Sequence, residues 1–329
     1  MKTPPFSPQR RRAVALLGAA AALPRFVRAQ ARFPDKPITL IVPFAPGGIA
    51  DITARAVAES MALQLGQPVV VDNRPSAGSI VASQVVASAR PDGHTLLLMS
   101  NGNAVSVGLF RKLPYDTKKS FVGISTLGYF DLGLFVATGS RFASLQDVLA
   151  FARAHKGRLN VGTITAGSTQ HLAAKMFETV AGLEFTLVPY KGSPAVLAAL
   201  RGGEIDLAFE ILGPMLPQVQ AGVVKALAVS SDRRNPALLA VPTAIEAGVA
   251  GYNVASWNAL AAPAGTPAAV VDVLNRAARE ALASPAVRDK LAKLGMRVAA
   301  SSPAELERLL ASEIDRWGAV IRAAKIEPE

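Results

Sequence analysis

Cysteine is absent from the 329 residues, so the chain has no disulfide framework, no thiolate nucleophile and no cysteine-based metal site. Histidine is nearly absent too. His94, His155 and His171 fall in different segments, none in an H-E-x-x-H spacing, which leaves no pattern for a metal ion. No G-x-S-x-G elbow surrounds Ser100, Ser168 or Ser193, so nucleophilic hydrolysis lacks its usual sequence features. Walker motifs and a complete G-x-G-x-x-G are missing as well, which argues against nucleotide-type phosphate cradling. Nothing in the chain calls for a cofactor. Beyond Leu23 no apolar run is long enough to cross a bilayer. Repeats, low-complexity tracts and long charge runs are also lacking, which argues against solenoids and disordered tails.

What is present begins with Lys2 and Arg10-Arg11-Arg12, followed by an apolar stretch from Ala13 to Leu23 and small residues at Val27 and Ala29. This order predicts a secretory signal peptide over residues 1–29, with Ala31 as a second cleavage candidate. The arginine triplet does not complete a twin-arginine pattern. Removal of the signal takes away six Lys and Arg and no acid, leaving +5 of the formal +11. The remaining cations are scattered rather than gathered on one run, so nucleic acid is not an expected partner. A mild positive surplus attracts anions weakly. The remaining chain of about 300 residues, half of them apolar in the full sequence, is long enough for a large core divided between two lobes.

Short β-rich runs alternate with helical patterns: Ile38–Phe44, a helix over Asp51–Leu65, then Pro68–Val71, Ile80–Ala89 and Thr95–Met99. That rhythm predicts an α/β fold with mostly parallel sheets. It repeats through Leu132–Ala137, Leu145–Ala154, Leu159–Ile164, Thr169–Val180, Phe185–Val188, Pro194–Leu200 and Ile205–Phe209, so a second sheet is expected. Three helices with proline near each start follow, Pro267–Ala283, Pro285–Leu294 and Pro303–Ala324, and are expected to pack on the first lobe. Crossings near Tyr129–Asp131 and Gly248–Asn253 would make lobe 1 discontinuous, residues 30–130 and 250–329, with lobe 2 spanning 131–249 and two crossing strands as the hinge.

Ligands of open α/β sheets sit beyond the carboxyl ends of the strands. The strand-to-helix segment Ile41 to Asp51 contains Gly47-Gly48, where a ligand can approach the backbone, and the helix that follows offers free N–H donors to a carboxylate. Phe44, Gly47, Gly48 and Asp51 are candidates there, although an ordinary turn with Asp51 as a cap has the same appearance. A second such terminus follows Val161–Ile164, where Thr163, Gly167, Ser168 and Thr169 are candidates and Ser168 or Thr169 can equally be a helix cap. Ser100 and Asn101 close a strand at the same expected edge. Tyr190, Asp206 and Glu210 are expected at strand ends of the second lobe, with Tyr190 also readable as a packing residue and Lys191 as a solvated charge. Asp206 and Glu210 suit capping, lobe contacts or hydrogen bonds to a ligand better than acid/base chemistry.

Eight segments in order then carry a resemblance: Phe33-Pro34-Asp35-Lys36-Pro37-Ile38, Val42 to Gly48, Gly66 to Pro75, Pro91 to Leu97, Leu113-Pro114-Tyr115-Asp116, Val188 to Gly192, Val241-Pro242-Thr243 and Ala261 to Pro267. From about Phe33 to the C-terminus the chain resembles the substrate-binding receptors of tripartite tricarboxylate transporters, the Bug-type extracytoplasmic receptors. The resemblance implies a two-lobe Venus-flytrap fold of type II-like form. It also implies periplasmic capture of a small organic acid by backbone amides and water, and delivery by a monomer to the membrane permease subunits. The acid is a dicarboxylate, tricarboxylate, aromatic acid or amino acid. Phe44, Gly47, Gly48, Asp51, Gly167, Ser168 and Thr169 match the family's two ligand-facing segments. Two departures bear on ligand choice: Ser76-Ala77-Gly78-Ser79 replaces the usual Gly-Ala-Gly-Gly, and Glu210 stands where Asp or Asn is common. An exported enzyme acting on a carboxylate in the same cleft is the alternative. A ligand-sensing regulator would instead begin with a helix-turn-helix.

Overall fold

A computed structural model describes Met1, residues 33–164 and residues 168–328. The signal segment and Gly167 lie outside the described residues. The first sheet is built from β1 (Ile38–Val42), β2 (Val69–Asn73), β3 (Thr95–Ser100), β4 (Phe121–Ala137), β9 (Ala255–Pro263) and β10 (Met296–Val298). Its order is β2-β1-β3-β9-β4, with β10 also on β4. β1 runs parallel to β2 and β3, whereas β9 is antiparallel to both β3 and β4. The second sheet contains β5 (Asn160–Ile164), β6 (Thr186–Tyr190), β7 (Leu207–Ile211), β8 (Val224–Val229) and the far half of β4. There β6-β5-β7 are parallel, and β4 pairs antiparallel with β7 and β8.

Alternation along the strands explains why both faces of the first sheet are covered. Leu96 and Leu98 face one cluster with Ile38, Leu40 and Val42, under α1 (Ile49–Leu65), α8 (Ala268–Ala283) and α9 (Pro285–Ala292). Leu97 and Met99 face the opposite cluster, under α2 (Ile80–Ala87), α3 (Asn101–Leu109) and α10 (Pro303–Ala323). Each fully buried aliphatic side chain is worth about 1.5–3 kcal/mol, so strands of this kind hold the layers by burial on both faces. The three C-terminal helices pack on the first sheet.

The second sheet is layered between α5 (Thr169–Ala181) on one side and α6 (Ser193–Gly202) with α7 (Leu212–Gln220) on the other, while α4 (Leu145–Ala154) follows β4. Phe209 packs against Phe177, and on the reverse face Ala208 meets the cluster of Phe135, Val196 and Met215.

One strand belongs to both sheets. Along β4 the partners change from β9, as far as Asp131, to β7 and β8 from Leu132 onward. The return crossing enters β9 beside it, with Val254 N–H on Ser230 O at 2.8 Å. Ser230 binds both crossings: its hydroxyl lies 2.9 Å from Leu132 O and 2.7 Å from Val254 O, which share its one proton, and it accepts from Leu132 N at 3.1 Å. Beside it Asp131, fully buried, accepts from Asn235 Nδ2 at 2.8 Å and Arg297 Nε at 3.3 Å.

Candidate ligand-binding site

Each sheet reverses its strand order once. In the first, the chain goes from β1 outward to β2 and returns to β3 on the other side of β1; in the second, β5 leads outward to β6 and the chain returns to β7 on the other side of β5. A crevice opens at such switch points beyond the strand ends. The four strands flanking them end at Val42, Ser100, Ile164 and Ile211, and a helix begins after each, at Ile49, Asn101, Thr169 and Leu212. Nearly all the residues expected at the ligand lie on these four ends.

At the first end, Gly47 has φ +83° and open space where a side chain would stand, so this turn presents bare backbone. The N–H groups of Gly48, Ile49 and Ala50 donate to no described group. Asp51 is buried below them. Its Oδ2 accepts Gly47 N at 2.9 Å, its Oδ1 accepts Asn73 Nδ2 at 2.9 Å, and Arg55 Nε lies 3.0 Å from both oxygens. Asn73 Nδ2 also ties down Phe44 O at 2.9 Å. Burial pushes the Asp51 carboxyl upward, but the hydrogen bonds from Arg55, Gly47 and Asn73 outweigh it and hold the group below the usual carboxylate range. Asp51 therefore shapes the turn, and its oxygens are already engaged by protein donors.

At the second end Ser100 caps α3: its Oγ accepts Gly102 N, and Asn103 Oδ1 accepts Ser100 N at 2.9 Å. Asn101, fully buried, accepts Trp317 Nε1 at 2.7 Å and donates to Thr169 Oγ1 at 3.1 Å. That last bond joins the first sheet's switch point to the second's. A further contact lies on the other side, where Ile49 Cδ1 crowds Gly213, three residues past Glu210. The two sets of strand ends thus face each other.

On the second lobe Ser168 caps α5 by accepting His171 N at 3.1 Å and donating to Ile164 O at 3.2 Å. Thr163 is fully buried on β5, with its Oγ1 3.5 Å from His171 Nδ1. Burial, and then nearby Lys175, lowers the His171 pKa. Tyr190 ends β6 opposite Ile164, one strand outside the switch point, and is half-buried against the second sheet's core.

Glu210 lies at the carboxyl end of β7 and is completely buried. Its Oε2 accepts Gln170 Nε2 at 3.3 Å, Ser193 Oγ at 3.0 Å and Ile211 N at 3.2 Å. Burial dominates these bonds and pushes its pKa up to about 7. Asp206 is a correction. It precedes β7, which runs from Leu207 to Ile211, so it lies at the opposite edge of the sheet from Glu210, about 13 Å away at the usual strand rise. There it accepts Asn160 N at 3.0 Å and Arg141 Nη2 at 3.2 Å.

Sequence reasoning missed Gln170, Ser193 and Trp317. The first two follow strand-end turns and share the pattern that marked Thr169; Trp317 comes from the distant last helix and left no local signal. Two surface hollows, one lined by Met99, Phe121 and Leu306 and the other by Arg153, Lys156 and Glu184, include none of the expected site residues. Among the described residues no cluster of His, Asp or Glu is placed to hold a metal ion, and no helix is long and apolar enough to cross a membrane.

The family model for TctC, the tripartite tricarboxylate transporter family receptor, matches residues 53–326. The chain belongs to this receptor family. The receptor is similar to the periplasmic binding protein BugD, with a TM-score of 0.79, 30% identity and coverage of 90% of this chain and 100% of that one. It is also similar to Rpa4515 of R. palustris, solved with adipate (TM-score 0.81, 34% identity, coverage 90% and 100%). A third similar structure is MatC from Rhodopseudomonas palustris with bound malate (TM-score 0.76, 34% identity, coverage 88% and 100%). These are substrate-binding proteins rather than enzymes, and the receptor's mixed α/β, two-lobe architecture is theirs.

Proposed function

We propose that the receptor works in the periplasm, closes its two lobes on one small organic carboxylate and presents the closed form, as a monomer, to the permease subunits of a tripartite tricarboxylate transporter. The observation that carries this reading is the meeting of the two switch points, marked by the Asn101–Thr169 hydrogen bond at 3.1 Å. A carboxylate between them reaches the free N–H groups at the start of α1, where a partly buried anion gains up to about 2 kcal/mol from the helix dipole. Closure removes water and strengthens that attraction. Adipate and malate in the similar structures support the carboxylate class. The signal segment supports export. In this reading residues 30–130 and 250–329 move as one lobe and 131–249 as the other, twisting about β4.

The test uses the mature receptor, purified without refolding, melted against dicarboxylates, tricarboxylates, aromatic acids and amino acids. At least one should raise the melting temperature in a concentration-dependent way, since ligand at one hundred times Kd stabilises the folded state by about 2.7 kcal/mol. A flat response to the whole panel rejects the proposal.

A further inference from the structure

We infer that Glu210 makes this receptor select carboxylates carrying an ammonium group at the far end over dicarboxylates of matching length. The inference rests on the receptor reading above and concerns the same cleft.

Three observations lead to it. First, three donors that a second ligand carboxylate would find on lobe 2 are engaged: Gln170 at the start of α5, Ser193 at the start of α6 and the Ile211 amide leading into α7 all donate to Glu210 Oε2. The protein's own carboxyl thus occupies the anion position of that lobe. Second, Glu210 Oε1 is buried and has no hydrogen-bond donor among the described residues. Third, no cation among the described residues forms an ion pair with this group, and burial outweighs its hydrogen bonds. A buried carboxyl with one satisfied and one bare oxygen is completed by an incoming hydrogen donor, and most strongly by a cationic one. A second carboxylate brought to the same place meets like charge wherever Glu210 is ionised.

The opposite lobe has the reverse polarity. The free N–H groups of Gly48, Ile49 and Ala50 carry the positive end of the α1 dipole, and Asp51 behind them is engaged by Gly47, Asn73 and Arg55. The two walls therefore differ in sign. A ligand spanning them is matched when its ends differ in sign too.

The experiment is calorimetric titration of the mature wild-type receptor near neutral pH with two matched pairs: adipate with 6-aminohexanoate, and succinate with 4-aminobutanoate. The ammonium-bearing member of at least one pair should bind about tenfold more tightly or better. Glu210→Gln should abolish that preference and admit the dicarboxylate, whereas Glu210→Asp, which keeps the charge, should retain the preference in weaker form. Circular dichroism confirms that both variants are folded, and either one alone reports the change in preference. If the wild type binds the dicarboxylates as well as or better than their partners, or if Glu210→Gln moves both members of a pair equally, the inference falls while the receptor reading stands. If these four compounds and every other carboxylate in the panel fail to bind, the receptor reading falls and takes the inference with it.

Discussion

Two buried carboxyls show how neighbours decide what an acidic residue does. Asp51 and Glu210 both lose solvation on folding, but Asp51 has a guanidinium and two amides within 3.0 Å, and Glu210 has only neutral donors. The first is held ionised and the second is pushed up to about 7. Because the folded Glu210 carboxyl binds its proton more tightly than the unfolded one, its contribution is complete below the unfolded value of 4.5 and is lost as pH rises through about 7. Glu210→Gln should therefore gain on the wild type in melting temperature from pH 5 to 8, with a ceiling of roughly 3 kcal/mol. Melts in carboxylate-free buffer check this. His171 titrates in both proteins and cancels in the difference; parallel curves over that range would contradict the buried, uncompensated carboxyl. The presence of Glu210 was plain from sequence. Its bare oxygen was not, since that depends on three helices meeting.

At the level of elements, several helices were legible nearly to the residue: α1 and α8 end where the pattern predicts, and α10 ends one residue sooner. α3 and α7 were not. Asn101-Gly102-Asn103 is poor helix material and is fixed by its Ser100 cap, while α7 contains Pro214 and Pro217 and relies on packing of Leu212, Met215 and Leu216. The first half of β4 and the whole of β9 also escaped notice, because strands buried on both faces lack alternation. Asp206 was grouped with Glu210 at the carboxyl end of its strand, although it precedes that strand and lies at the other edge. In β4, Gly128 has φ +155°, and a side-chain carbon there would sit 2.4 Å from Arg297 O. Flanked by β9 and β10, it has no room to move. Gly128→Ala should lower stability by about 1–3 kcal/mol, read as a reduced urea midpoint. An unchanged midpoint would show that the β4–β10 ladder yields more easily than its geometry implies.

The whole molecule adds a latch that no single segment contains. Arg316 reaches Asn253 O and pairs with Glu313 at 3.1 Å; the single Trp317 N–H is shared between Glu313 at 2.9 Å and Asn101 at 2.7 Å, and Asn101 donates to Thr169. The last helix thus holds Asn101 in place, and the bond from Asn101 to Thr169 crosses the gap. Asn101→Ala removes the central link and leaves Trp317 with Glu313 alone. Loss of a buried hydrogen bond costs about 1–3 kcal/mol, so ligand affinity should fall roughly five- to a hundredfold. Small-angle scattering should show a larger radius without ligand, and an unaltered radius and affinity would rule the latch out. The family was readable from eight short motifs because turns are written locally; the latch joins residues more than 200 positions apart and was not.

The placement of β9 also governs how the chain is made. It is the strand between β3 and β4, yet it follows the entire second sheet in the chain. A nascent polypeptide that has emerged only as far as Val254 holds β3 and β4 with nothing to join them. The first sheet is therefore complete only once the chain beyond Val254 is available.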